Sequence, residues 1–275
     1  MQSRALFGAM VLVGLLVGCG GGSDINIAPS TTDNSVDNSS TTNAPVDTVN
    51  PCASYENEAG QTVQGTFESP NCSYSVAFAD AGNNVTTDLS IPALAGGGAH
   101  MFEGSLFIGE AHSDNAELAA AGIAEGGDGP QLTIEAGATL AFASQTQFVI
   151  INRGSTIFAV GSVDAPITFT SFSDVNGTVG AEDVQQWGGI VINGFGVSNK
   201  CDYTGTRGEA GFALVDECNI AAEGAEGLDE SYYGGVNDAD TSGRLEYVVV
   251  KHTGCLLYTS PSPRDRSISR MPSSA

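Results

Sequence analysis

Short apolar segments separated by Gly, Asp and Asn dominate the chain from residue 99 onward. They carry the β-branched and aromatic side chains that strands favour. Ala116–Ala124 could form one short helix, and no other segment has helical periodicity, so the pattern predicts an all-β fold. The predicted strands are His100–Ile108, Leu132–Ile134, Thr139–Phe142, Phe148–Ile151, Thr156–Val160, Ile167–Phe172, Ile190–Ile192 and Leu245–Val250.

The strand spacing partly repeats at about twenty residues, a length typical of repeat architectures. Gly137 and Gly154 are seventeen residues apart, as are Ile150 and Ile167. Such a repeat suggests a solenoid whose rungs stack into one apolar column. Gly137, Gly154 and Gly161 would then supply positive φ angles at its corners. A β-sandwich would show similar strands, so the periodicity leaves both architectures open.

Residues 51–98 are predicted to form a small disulfide-bonded module before the rungs. Cys52 and Cys72 bracket a loop in it, and Tyr74–Phe78 alternates like a strand. Two inserts, residues 174–186 and 200–243, are expected to leave the rungs as surface loops.

Cys201 and Cys218 bracket a loop in the second insert. Both cysteine spacings suit local disulfides in an oxidising compartment, each stabilising by roughly 3 kcal/mol. Neither pair forms a CxxC motif or has a His nearby, so zinc is not expected.

The N-terminus has the features of a lipoprotein signal. An apolar run of thirteen residues, Ala5–Val17, is shorter than a membrane-spanning helix requires and suits a signal peptide over residues 1–18. Leu16-Val17-Gly18-Cys19 resembles the bacterial lipobox, which implies lipidation of Cys19 and anchoring in a membrane. Gly20 after the Cys favours the outer membrane of a Gram-negative source. Residues 19–50 then read as a lipidated, disordered polar tether.

Residues 255–275 differ in composition from the rest of the chain. They contain three Arg against one Asp and three Pro, with no strand-like alternation. One interpretation is a disordered basic tail that binds an anionic partner. We favour the other, that the segment resembles translated sequencing-adapter read-through. On that interpretation the natural protein continues past Gly254, and the rungs are truncated there.

The chain is strongly acidic, with a formal net charge of −23. Without residues 255–275, six basic residues face thirty-one acidic ones, a net charge of −25. This balance argues against nucleic acid as a partner and disfavours anionic polymers.

An ordered set of short segments carries a family resemblance. Leu132-Thr133-Ile134-Glu135-Ala136-Gly137, residues 151–157, residues 161–171, residues 187–194 and residues 233–248 follow one another as in a largely uncharacterised family of bacterial cell-surface proteins. The resemblance implies a right-handed parallel β-helix over residues 99–254. Ala136 departs from the family, where Pro is common. The resemblance thus implies a fold and a cell-surface location, but no reaction.

An acidic, Gly-rich stretch of the second insert offers oxygen ligands. Asp229, Asp238 and Asp240 are the candidates for a structural calcium site, because calcium takes oxygen ligands on flexible turns. A solvated acidic face is the alternative. No other cofactor is expected.

The sequence indicates no catalytic residue. His100, His112 and His252 are not at metal-ligand spacing, no Ser or Cys lies in a nucleophile motif, and Trp187 is expected to pack rather than to stack a sugar. The first hypothesis is therefore a non-enzymatic, outer-membrane-anchored surface protein for adhesion or for binding an extracellular polysaccharide. The alternative is a polysaccharide lyase or glycosidase whose catalytic rungs lie beyond the truncation. A role in envelope export or assembly is a third possibility.

Overall fold

The structure is a computed structural model that describes residues 49–123, 126–222 and 231–254. The predicted signal peptide, Cys19, most of the tether, Asp229 and the C-terminal segment 255–275 lie outside these residues. Within them, no helix has the length and apolar character needed to cross a membrane.

The described residues form many short strands and few helices, which confirms the all-β prediction. The strands are β1 (Ser54–Glu56), β2 (Thr62–Gln64), β3 (Thr66–Glu68), β4 (Asn71–Tyr74), β5 (Leu89–Ile91), β6 (His100–Phe102), β7 (Leu106–Ile108), β8 (Gln131–Ile134), β9 (Thr139–Phe142), β10 (Phe148–Ile151), β11 (Thr156–Val160), β12 (Ile167–Ser171), β13 (Gly189–Ile192), β14 (Tyr203–Thr204), β15 (Ala213–Leu214), β16 (Ile220–Ala221), β17 (Tyr232–Tyr233), β18 (Gly243–Glu246) and β19 (Val248–Val250). The helices are α1 (Asn115–Ala120), α2 (Phe172–Val175) and a 3-10 turn at Ala95–Gly97.

Three sheets with parallel pairing contain most of these strands. Sheet 1 has the order β13-β10-β7, and sheet 2 has the order β18-β11-β8-β5. Sheet 3 has the order β19-β12-β9-β6-β4-β3, in which only β3 pairs antiparallel. Parallel pairing requires a crossover connection between neighbouring strands of one sheet. Here the connection between two such strands runs through the strands of the other two sheets.

The chain visits the three sheets in a constant order. Strands β6, β7 and β8 lie in sheets 3, 1 and 2, and β9, β10 and β11 repeat this order. We call each such passage a rung. Residues 71–91 already follow the pattern, because β4 lies in sheet 3, Val85 bridges Ile108 of sheet 1, and β5 lies in sheet 2. The disulfide-bonded segment thus shares its sheets with the later rungs.

A stack of aromatic rings runs through the interior. Tyr74, Phe102 and Phe142 occupy matching positions on three neighbouring strands of sheet 3. Their ring centroids are 4.4 Å and 5.4 Å apart, and Trp187 continues the stack 4.9 Å from Phe142. All four side chains are buried, and Trp187 Nε1 donates to the Lys251 carbonyl at 2.7 Å. The expectation that Trp187 packs against the rungs is confirmed, and its side chain is completely buried.

A buried hydrogen-bond chain joins the first disulfide to this core. The Tyr74 hydroxyl lies 2.6 Å from His100 Nδ1 and accepts from the Ala53 amide at 2.9 Å. His100 Nε2 lies 2.7 Å from the Pro92 carbonyl, which can only accept, so Nε2 is the protonated nitrogen of a neutral ring. Burial lowers the pKa of His100 and raises that of Tyr74.

We predict that this network makes the fold acid-sensitive. The pKa of folded His100 lies below the ordinary value of 6.5, so below that pH the unfolded chain binds a proton that the folded chain does not. The free energy of unfolding should therefore fall as pH drops from about 7.5 to 5.5, by up to about 1.4 kcal/mol per unit. Urea unfolding at both pH values measures this.

His100→Asn keeps an acceptor near Tyr74 but does not titrate, so its unfolding free energy should depend less on pH. His112→Asn, at a residue outside the network, is the control. An equal pH dependence in wild type and His100→Asn would contradict the assignment.

Several predicted strand boundaries were wrong. The predicted strand Tyr74–Phe78 ends at Tyr74, because the Phe78 amide bonds to the Ser75 carbonyl and closes a turn. His100–Ile108 breaks into β6 and β7 at a corner between sheets. The segment 245–250 likewise splits into β18 and β19 at Tyr247, whose φ is 48°. The helix ends at Ala120 because Gly122 takes a positive φ of 74°.

Two of the three predicted corner glycines have the expected backbone. Gly137 and Gly154 have φ angles of 87° and 84°. Gly161 does not have a positive φ, so that part of the prediction was wrong. Glycine is needed there for space, because a Cβ would lie 2.8 Å from the Tyr247 carbonyl oxygen and 3.0 Å from that of Ala165.

The described residues of the second insert, 200–222 and 231–243, follow β13 and end at the first residue of β18. They include two small antiparallel pairs, β14 with β15 and β16 with β17. The predicted disulfide Cys201–Cys218 is present and packs with Val197, and the predicted Cys52–Cys72 bond is present in the first rung. Both disulfide predictions are confirmed.

Candidate functional site

Two adjoining cavities form a polar trough at the corner that follows sheet 1. Their volumes are about 210 and 360 Å³, and both are lined by Glu58, Thr86 and Glu110. The smaller cavity also contacts His112 and Asp128. The larger contacts further residues, namely Tyr55, Asn57, Ala59, Val63, Ala77, Gly82, Asn83 and Asn84. Carboxylates, amides and a hydroxyl therefore line one continuous depression.

Local turns place the carboxylates of the trough. Asn57 Oδ1 accepts from the amides of Ala59 and Gln61 at 3.1 and 2.9 Å, which fixes the turn that presents Glu58. Glu110 directly follows β7 and Gly109. Gly109 must lack a side chain, because a Cβ there would lie 2.0 Å from Ser155 Oγ. The trough thus lies at the end of sheet 1, where Gly109 and Ser155 are closely packed.

The trough contains polar groups without a protein partner. Asn84 Oδ1 and His112 Nε2 are buried atoms that make no hydrogen bond in the described part of the chain. The carboxylates of Glu58, Glu110 and Asp128 also accept no hydrogen bond from described residues and form no ion pair with them. A buried polar atom without a partner costs about 1–3 kcal/mol, so the Asn84 and His112 atoms are sites for water or a ligand. The three carboxylates are exposed and accessible to the same ligand.

The described carboxylates and histidines do not make a metal centre. No group of three or more His, Cys, Asp or Glu in residues 49–123, 126–222 and 231–254 has a geometry that could hold a metal ion. The carboxylate and amide oxygens that line the trough accept hydrogen bonds, so the trough suits a ligand with several hydrogen-bond donors.

Behind the trough, Arg153 is a buried cation at the end of β10. Its guanidinium donates to the carbonyls of His112 and Gly234 at 2.6 and 2.7 Å and to Asn219 Oδ1 at 2.7 Å. It also lies 5.5 Å from the centroid of the Phe195 ring. Burial lowers its pKa, and no described carboxylate pairs with it. Arg153 therefore acts as a strut between α1 and the second insert.

A second polar cluster joins the ends of β12 and β19. Asp174 contacts Lys251 Nζ at 2.6 Å and His252 Nε2 at 3.2 Å, and it accepts from the Thr170 hydroxyl at 2.7 Å. Partial burial works to raise the pKa of Asp174. Hydrogen bonds from Lys251 and Thr170 and the charges of Lys251 and His252 outweigh it and lower the pKa. Lys251 and Asp174 therefore form an ion pair at this corner.

The candidate calcium ligands serve other contacts. Asp238 accepts from the Val197 amide at 2.9 Å and pairs with Arg207 at 2.5 Å, and both contacts lower its pKa. Asp240 accepts from the Phe195 amide at 2.9 Å. Asp229 lies outside the described residues. Calcium binding therefore stays a prediction; the described Asp238 and Asp240 support the loop by hydrogen bonds and by the Asp238–Arg207 ion pair.

The sequence did not single out the trough or the role of Arg153. The chain has so many acids that no pairing among Glu58, Glu110 and Asp128 stands out. Arg153 draws partners from residues up to 81 positions away, and no local pattern encodes these contacts. The one sequence feature that could have indicated a role for Arg153 is that it is a rare basic residue within segment 151–157, which resembles the family.

The comparisons with known proteins give one similarity. A family model described as a pectate-lyase-like β-helix domain matches residues 113–262, slightly more than half of the chain. No curated protein and no solved structure matches the chain significantly. The last eight matched residues fall in the segment interpreted above as adapter-derived.

Proposed function

Because this chain belongs to the family of pectate-lyase-like β-helix domains, we propose that it is a non-enzymatic cell-surface protein that binds an extracellular polysaccharide. In this proposal its three sheets are the faces of a right-handed parallel β-helix, and each passage of the chain through them is one rung. The polar trough is the observation that supports binding most directly. Its free carboxylates and unpartnered Asn84 and His112 atoms match the hydroxyl groups of a sugar chain.

The negative charge of the chain indicates which class of polysaccharide it can bind. Carboxylates accept hydrogen bonds from hydroxyl or amino groups, whereas they repel uronate carboxylates. With a net charge of −23, the chain should bind neutral or amino-bearing polysaccharides rather than anionic ones.

We predict that the full chain binds a soluble neutral glucan and does not bind polygalacturonate in affinity electrophoresis. Glu110→Gln should weaken binding about tenfold, because a hydrogen bond to a charged group is worth about 1.5 kcal/mol or more. Glu182→Gln is the matched control, since Glu182 is exposed and outside the trough. Equal binding by both variants, or preference for polygalacturonate, would contradict the proposal.

A lyase is the alternative function, favoured by family membership and by the basic residue Lys251 beside Asp174. The release of unsaturated products from polygalacturonate, followed by ultraviolet absorbance with and without calcium, distinguishes the two. Product formation that is lost in Lys251→Met would replace the binding proposal with an enzymatic one.

We further propose that lipid on Cys19 attaches the protein to the outer membrane. Two or three acyl chains bind a bilayer almost permanently, at about 0.8 kcal/mol per buried methylene. Radiolabelled palmitate should therefore enter the wild-type chain and not Cys19→Ala, which should leave the membrane fraction. Equal labelling of both chains would refute lipidation at this residue.

A further inference from the structure

A separate apolar groove lies between helix α1 and the second insert. Its volume is about 430 Å³, within the range of small-ligand and side-chain pockets. Leu118 and Ile123 line it on the α1 side, and Phe195, Leu214 and Val236 line it on the insert side. Although it shares Ile123 with the trough, its walls are almost entirely apolar.

The walls of the groove are held apart by fixed contacts. The Cys201–Cys218 disulfide secures the insert, and Cys218 itself lines the groove. Arg153 bridges His112 before α1 to Gly234 of the insert, and the Asn115 amide at the start of α1 donates to Glu217 at 3.2 Å. Because these contacts hold both sides, the groove is formed before any ligand arrives, which lowers the entropic cost of binding.

The rim of the groove is acidic. Asp216 and Glu217 line it, and both side chains are exposed. Arg153 contacts the Phe195 ring and is only 2% exposed. Its guanidinium is bound by three acceptors, so it does not present a positive charge at the rim. A cation at the rim is therefore attracted and an anion is repelled, in line with the net charge of −23.

We propose that the groove binds a basic peptide segment of a partner protein. An aliphatic or aromatic side chain of the segment fills the apolar groove, and a neighbouring lysine or arginine pairs with Asp216 and Glu217. Burial of a large side chain in a preformed pocket is the usual anchor of such contacts. The rim charges then select the partner and speed its association. This site is distinct from the trough, so it gives the protein a second ligand class.

The test uses labelled hexapeptides of alternating residues and the full chain, with binding followed by fluorescence anisotropy. The leucine–lysine peptide should bind at least tenfold more tightly than both the leucine–glutamate and the serine–lysine peptide. Ala119→Trp, at an exposed groove residue of α1, should weaken its binding at least tenfold. Ala120→Trp is the matched control, because Ala120 is exposed on the same helix and does not line the groove.

A second pair of variants tests the rim without adding bulk. Asp216→Asn should weaken binding of the leucine–lysine peptide, whereas Asp164→Asn, at an exposed residue between β11 and β12 that does not line the groove, should not. Serine–lysine binding as tight as leucine–lysine binding would overturn the proposal, because charge alone would then explain it. Equal binding by the Ala119→Trp and Ala120→Trp variants would also overturn it.

Discussion

Phe142→Ala should lower the free energy of unfolding by about 3–5 kcal/mol, the range for removing a large buried aromatic side chain. Phe142 is fully buried and lies between Phe102 and Trp187, with interplanar angles of 18° and 14°. Its removal leaves a cavity inside the stack and also ends two ring contacts, each worth about 0.5–1.5 kcal/mol. Urea unfolding of the full chain, followed by tryptophan fluorescence, measures the loss directly at Trp187.

Phe67→Ala is the matched control for this experiment. Phe67 is on the edge strand β3 and is 40% exposed, so the same truncation there should cost less than about 1 kcal/mol. Phe142→Leu should have an intermediate effect, because leucine fills part of the space. If Phe142→Ala and Phe67→Ala lost the same stability, the aromatic stack would not be the core of the fold.

Arg153→Met should lower the free energy of unfolding by about 3 kcal/mol and loosen the second insert. Methionine fills a similar volume, but it leaves the carbonyls of His112 and Gly234 and the Asn219 side chain without their donor. Each buried acceptor left without a donor costs about 1–3 kcal/mol. The variant no longer has to desolvate a buried charge, and this gain offsets part of that cost. Hydrogen exchange should become faster in residues 195–222 and less so in β8 and β11.

Arg207→Met is the control in the same insert. Arg207 is half exposed and pairs with Asp238, a surface contact that is worth less than about 1 kcal/mol. A stability loss for Arg153→Met no larger than that for Arg207→Met would show that Arg153 is not a strut.

Local sequence patterns predicted the regular part of the fold well. The bounds of β9, β10 and β11 were predicted to the residue, because alternating or continuous apolar runs there end at glycine or polar corners. The alternation of Tyr74–Phe78 does not show where the strand ends, because it continues through a turn in which Phe78 still packs inward. The period could not separate a solenoid from a sandwich, since both bury the same strand faces.

The candidate sites were much harder to predict than the strands. Glu58, Glu110 and Asp128 come together only because the first rungs place residues from a hairpin and two corners side by side. Asp174 meets Lys251 across 77 positions for the same reason. Such contacts depend on strand register, which a single sequence without its pairing does not specify. The cysteine pairs were the exception, because each closes a short local loop.

The position of the second insert has a consequence for protein engineering. The chain leaves sheet 1 after Ile192 and enters sheet 2 at Gly243, where β18 pairs with β11. A chain without the insert could form the same strand pairing. Doubling the length of a flexible loop lowers the free energy of unfolding by only about 0.6 kcal/mol. This junction should therefore accept foreign loops of varied length. The graft would need to bring its own hydrogen-bond acceptors to Arg153. The graft would also need to replace the Ser231 hydroxyl, which bonds the buried side chains of Asn152 and Asn193.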